Sequence, residues 1–244
     1  MNAKNLVLIA CSAIVPAFAQ NSNNWWPPRI LLIEREEVQP GKMNAYESIA
    51  MAYAAALDRA RVTAHRVGLN MASGGDRERV YLTGYDSMEA LERAREDWGG
   101  GPLRAELENL RERASEILLN RQTMIAVYRD DLSYRPTGFN SSEIRYVLMN
   151  QHLTPAANEA KYVADIKAHM GTLRKAEVNR HWYVYRVIVG APTGTGILFE
   201  TFRSLREMDP FVDSTANMFE SVHVSSRTPE IGIFVVNSRT SYPR

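Results

Sequence analysis

The chain has 244 residues, with 29 Lys and Arg against 28 Asp and Glu, a formal net charge of +1. So balanced a charge gives no electrostatic reason to expect DNA, RNA or an anionic membrane as partner. The one cysteine, Cys11, cannot form an internal disulfide, and the length suffices for one large domain or two small ones.

Residues 1–19 read as a secretory signal peptide. Lys4 supplies the positive start, Leu6 to Val15 the short apolar run, and Ala17-Phe18-Ala19 the small-x-small cleavage site, leaving Gln20 as the new N-terminus. The expected location is therefore exported, periplasmic or extracellular. Leu8-Ile9-Ala10-Cys11 also resembles a lipoprotein cleavage box, so Cys11 is either lipidated or removed with the signal. Loss of Lys4 leaves 28 basic residues (29 − 1) against 28 acidic ones. No later apolar run is long enough to be a membrane helix.

Residues 20–28 form a polar linker ending in Trp25-Trp26-Pro27-Pro28, whose tryptophans are expected to staple the N-terminus to the domain edge. Arg29 to Val38 predicts a strand, punctuated by Pro40-Gly41. Met43 to Val62 predicts a helix, since Tyr46, Ile49, Tyr53, Leu57 and Ala60 draw one apolar stripe. His65 to Ser73 and Arg79 to Tyr85 predict strands joined by the turn Ser73-Gly74-Gly75-Asp76. Asp86, with Glu89 three residues on, predicts a capped helix start. Gly99-Gly100-Gly101-Pro102 breaks that helix, and Leu103 to Ile117 resumes it. Thr123 to Arg129 predicts a strand. After a linker over 132–142, Glu143 to Leu153 predicts a strand, Thr154-Pro155 a helix start, and Tyr162, Ile166, His169 or Met170, and Leu173 its stripe. His181 to Val189 and Thr195 to Phe202 predict strands. Ser204 to Glu207 predicts a capping box opening a helix to about Val222, and Ile231 to Val236 the last strand.

The element order occurs twice. Tyr46, Ala60 and Val62 match Tyr162, Ala176 and Val178 at an offset of 116; Tyr85, Ser87 and Met88 match Phe202, Ser204 and Leu205 at 117. The chain thus divides into a unit over 29–131 and a second over 143–239, with a C-terminal tail over 240–244. Strand-helix-strand-strand-helix-strand is the ferredoxin-like pattern, a four-stranded antiparallel sheet with both helices on one face. Its bare face would expose more apolar surface than soluble monomers usually tolerate. Two tandem units are expected to hide theirs by pairing sheets face to face.

These features resemble the dimeric α/β-barrel superfamily. They are the strand-Pro-Gly-Lys-helix entry from Val38 to Tyr46, the Tyr85-Asp86-Ser87-Met88-Glu89 junction and its counterpart Phe202 to Glu207. Its antibiotic-biosynthesis-monooxygenase and NIPSNAP-like branches look most similar. The resemblance implies an α+β fold in which two ferredoxin-like units form a pseudo-dimeric α/β barrel. It leaves function open, because one fold hosts many activities.

No phosphate loop, dinucleotide fingerprint, HExxH or GxSxG is present, and Gly190 to Gly196 reads as a hairpin turn. His65, His152, His169, His181 and His223 show no metal-ligand spacing. The resemblance offers haem as an alternative cofactor, with Asn150 on a strand and His223 after a helix as the candidate catalytic pair. The tryptophan of that pattern is missing from the second unit; Trp98 lies in the first. Strand alternation suggests a second set, His152, His181, Tyr183, Tyr185, Arg186 and Glu200, as the lining of an inter-sheet cavity. Glu34 to Glu37 reads as a solvated strand edge. Three functions stay open: an exported non-catalytic protein binding a small apolar or aromatic ligand between the sheets; a monooxygenase or haem-handling enzyme; a self-associating structural protein.

Overall fold

In a computed structural model the described residues are 26–73, 77–136, 140–209 and 230–242, with backbone alone at 230 and 231. The first unit comprises β1 (Ile30–Val38), α1 (Met43–Ala60), β2 (His65–Met71), β3 (Glu78–Tyr85), α2 (Met88–Trp98), α3 (Gly101–Ser115) and β4 (Leu118–Tyr128). The second comprises β5 (Tyr146–Leu153), α4 (Glu159–Lys175), β6 (Trp182–Val189), β7 (Thr195–Phe202) and β8 (Glu230–Tyr242). Arg61, in the left-handed region at φ 51°, ends α1. The cap of α2 falls one residue after the expected Asp86: Ser87 Oγ accepts from the Ala90 N–H at 3.0 Å. Ser204 makes no side-chain cap; a 3-10 turn over Leu205–Met208 follows instead, and Glu207 accepts from the Arg203 N–H. The helix expected to run on to Val222 lies, past residue 209, outside the described residues. β4 starts at Leu118, before the expected Thr123, and β5 at Tyr146, after a 3-10 turn at Ser141–Glu143.

The eight strands form one closed barrel in the order β1-β3-β2-β8-β5-β7-β6-β4. This is the pseudo-dimeric α/β barrel expected from the sequence; the face-to-face pairing of the two sheets is corrected to edge-to-edge closure into one barrel. Each half keeps the ferredoxin-like order, but β2 pairs with β8 and β4 with β6, so the open edges satisfy each other's backbone groups. The duplication is visible in the register itself. Ile30 faces Tyr85 as Tyr146 faces Phe202, and Arg66 faces Thr83 as Trp182 faces Glu200. The offsets are 116 (146 − 30, 182 − 66) and 117 (202 − 85, 200 − 83).

The barrel interior is a packed core. Leu31, Ile33, Leu69, Val80, Leu82, Met124, Val147, Met149, Tyr183, Tyr185, Ile197, Phe199 and Phe234 all turn inward. Trp26 does not staple an edge: it enters the barrel, its ring 5.5 Å from Tyr183 and 5.7 Å from Phe199 in edge-on contacts. A void of about 60 Å³ beside Trp26 and Val147 is left, far below the ~300 Å³ of the smallest ordinary ligand pockets. The open inter-sheet cavity expected from the sequence is therefore filled, because aromatic side chains from β6 and β7 and the N-terminal segment meet at its centre. Residues 240–242 are no tail. They end β8, are buried, and place Tyr242 between α1 and α3, where its hydroxyl donates to Val62 O at 2.5 Å. No described helix is long and apolar enough to cross a membrane.

Candidate functional site

With the interior full, polar chemistry is found on the barrel's outer wall, beneath the helices. In the first half, β1 turns Glu34 and Glu36 outward, β2 Arg66, β3 Tyr81 and β4 Arg121; α1 brings Tyr46 and Tyr53, and α3 brings Arg111. Together they line a cavity of about 40 Å³, room for a water or two. The Tyr46 hydroxyl bonds to Glu36 and lies 2.9 Å from the Tyr81 hydroxyl. Tyr46 has one proton and gives it to Glu36, so Tyr81 must donate to Tyr46, which leaves the Tyr81 lone pairs free to accept. Arg121 holds the other Glu36 oxygen at 2.6 Å. Arg66 pairs with Glu34, and its guanidinium carbon sits 4.0 Å from the Tyr81 ring centre. Burial, with the nearby Glu36 carboxylate, pushes Tyr46 far above an ordinary phenol; burial lifts Tyr81 to about 12. Burial would raise Glu34 too, but the Arg66 charge outweighs it and holds Glu34 below the usual carboxylate range. At the mouth, Arg111 donates to Tyr53 Oη at 2.8 Å.

The second half has the same layer with different chemistry. By the register offsets, Glu34 becomes Asn150, Glu36 becomes His152 and Tyr46 becomes Tyr162. Tyr53 becomes His169, Arg66 becomes Trp182, Tyr81 becomes Leu198 and Thr83 becomes Glu200. The contacts are conserved in place though not in kind. Tyr162 packs 5.1 Å from His152, where Tyr46 bonds Glu36; His169 stacks on Trp182 at 5.5 Å, where Arg66 covers Tyr53. Glu200 is 1% exposed; Oε1 takes Arg180 Nη2 at 2.5 Å, and Oε2 takes nothing. Burial raises Glu200 to about 7 despite Arg180, and burial depresses His152 to about 4.

The sequence matches no family model and no curated protein. Solved structures do match. An anthrone oxidase-like protein superimposes with a TM-score of 0.60 at 9% identity, over 87% of this chain and 93% of that chain. A suggested monooxygenase from Lactobacillus acidophilus NCFM gives 0.57 at 10%, over 85% and 93%. A chlorite dismutase variant from Candidatus Nitrospira defluvii gives 0.54 at 9%, over 87% and 93%. The chain has the dimeric α/β-barrel fold. Identity this low carries the architecture and no activity.

Within the α/β barrel, the candidates from the sequence separate by strand parity. Tyr183 and Tyr185 point into the core, where Tyr185 donates to Pro28 O at 3.0 Å. Asn150, His152, Arg186 and Glu200 point the other way, so the single cavity lined by all of them does not exist. His181 sits just before β6, bonded to Pro136 O at 3.1 Å, and Arg186 pairs with Glu159 at the start of α4. His223 lies outside the described residues. The described part of this layer does not fit haem. The His152 Nε2 is pressed onto Gly196, where even a Cβ would lie 2.6 Å away, and His169 is stacked on Trp182. Among the described residues no three His, Cys, Asp or Glu are grouped to hold a metal. The residues missed altogether are Glu34 and Glu36, taken for a solvated edge. Their partners Arg66, Tyr81 and Arg121 arrive from three other strands, and no local pattern announces them.

Proposed function

We propose that the chain is an exported protein that binds a small hydroxylated aromatic molecule under α1 and α3. It draws the hydroxyl proton along Tyr81 and Tyr46 to Glu36. The observation that carries this reading is the hydroxyl–hydroxyl–carboxylate chain, buried and ending at a free acceptor on the cavity wall. A ligand hydroxyl donating to Tyr81 completes a line of three proton hops, each over one hydrogen bond. Arg66, above the Tyr81 ring, offsets the negative charge left on the ligand. As it stands the cavity admits no ring; the pair Tyr53 and Arg111 at the mouth must swing outward first. The name of one fold neighbour, an anthrone oxidase-like protein, supports an aromatic substrate class. The leader-like residues 1–19 support export.

The test uses 4-nitrophenol, whose phenolate absorbs visibly, mixed with protein below its own pKa. The wild type should raise phenolate absorbance at saturating protein, and Tyr81→Phe should abolish the rise while leaving the fold intact by circular dichroism. Binding that persists in the wild type with no phenolate signal would leave a non-catalytic binding protein, and no binding at all would end the proposal.

A further inference from the structure

Outside the first-half relay, unsatisfied polar atoms gather in one place. Asn150 Oδ1, Tyr162 Oη, His169 Nε2 and Glu200 Oε2 are all buried without a hydrogen-bond partner, and all four belong to the layer between β5, β6, β7 and α4. The fold comparison within the chain says why. In the first half Arg66 satisfies Glu34, and Tyr81 meets Tyr46. In the second half Trp182 stands at the arginine position and Leu198 at the tyrosine position, so Asn150 and Tyr162 lose those partners. Glu200 stands where the first half has the small Thr83, and adds a carboxylate oxygen that nothing meets. A fold that only needed a core here would carry apolar residues, since buried polar groups without partners cost stability.

We propose that this second-half layer is a binding site for a neutral molecule presenting two hydrogen-bond donors, a primary carboxamide being the simplest. Asn150 and Glu200 are diagonal neighbours on adjacent strands, Asn150 facing Leu198 and Leu148 facing Glu200. Diagonal positions on one sheet face lie ~7–8 Å apart, close enough for both side chains to converge on one NH₂ group. Leu148 and Leu198 supply the apolar wall between them. Neutrality follows from the charges. Arg180 occupies Glu200 Oε1 and repels a cation, the Glu200 carboxylate repels an anion wherever it is ionised, and burial pushes the His152 and His169 imidazoles below their ordinary range. Tyr162 Oη and, as the Nε2–H tautomer, His169 are left to donate to the ligand's carbonyl oxygen.

The experiment titrates the full chain with benzamide and with N,N-dimethylbenzamide, which has the same ring and no N–H, by calorimetry and ligand-detected saturation-transfer NMR. Benzamide should bind and the dimethyl compound should not. Asn150→Leu and Glu200→Gln should each weaken benzamide about tenfold, with Asn150→Asp, which keeps the acceptor, showing that a loss is not misfolding. Tyr81→Phe should leave benzamide affinity unchanged, which separates this site from the first-half relay. Equal binding of both amides, no binding of benzamide, or loss of benzamide in Tyr81→Phe but not in Asn150→Leu would each overturn the proposal.

Discussion

Two residues of the second-half layer, Glu200 and His152, have opposite titration behaviour. Burial raises Glu200 from 4.5 to about 7, with Arg180 only partly offsetting it. In the unfolded chain Glu200 ionises first, so its contribution to stability is whole below about pH 4.5 and is lost as pH rises to 7. Burial lowers His152 from 6.5 to about 4. Its contribution is whole above 6.5 and is lost as pH falls to 4, because the unfolded imidazole takes the proton first. Each shift corresponds to roughly 3 kcal/mol at ~1.4 kcal/mol per pKa unit. Between pH 4.5 and 6.5 the two slopes oppose and nearly cancel. Removing either one should expose the other. Relative to wild type, Glu200→Gln should gain stability toward high pH, and His152→Gln should gain it toward low pH. Urea midpoints at pH 4.5, 5.5 and 6.5 measure this; parallel profiles for all three proteins would show that neither group is buried in the way described.

The β6–β7 hairpin shows what one element demands of its sequence. Gly190 and Gly194 both have positive φ, 92° and 91°, which L side chains rarely adopt. A Cβ at Gly190 would lie 2.0 Å from Thr123 O, and one at Gly194 2.2 Å from Thr154 O, both rigid backbone atoms. Gly190→Ala should therefore cost about 2 kcal/mol or more, through strain and displacement of β4 together. In a chain of this size that is a fall of about 4–8 °C in Tm by calorimetry; an unchanged Tm would mean that β4 and the hairpin are not in contact. This turn was legible in the sequence because glycine punctuates locally, and so were most elements and the doubling. What was not legible was which way each strand faces. Over much of this barrel the strands are covered on both faces, inside by residues such as Trp26, Tyr183 and Phe199 and outside by helices, so alternation of apolar residues there marks neither side. His152 and Tyr183 thus read as one cavity although they lie on opposite walls. Glu34 and Glu36 read as solvated because charge usually means water; Arg66 and Arg121, 32 and 85 residues away, together with the Tyr46 hydroxyl, make their burial tolerable.

At the scale of the whole molecule, pieces from beyond the two units fill out the packing of the closed barrel. Tyr242 carries the end of β8 under the first half's helices, and Trp26 carries the N-terminal segment into the interior. Trp26 decides whether the interior is a core or a pocket. It touches Tyr183, Tyr185 and Phe199 at once and borders the remaining void of about 60 Å³. Trp26→Ala removes the ring but leaves neighbours fixed by strand pairing, so the wall collapses only in part. Such truncations cost about 3–5 kcal/mol, scaling with the cavity that stays open. The space left is apolar, joins the existing void and suits a ring of the lost shape. The expected outcome is a destabilised variant whose Tm rises with added indole, while the wild type, already filled, does not respond. If indole fails to raise the Tm of Trp26→Ala, the barrel has closed over the gap, and the inner wall is softer than eight paired strands should allow.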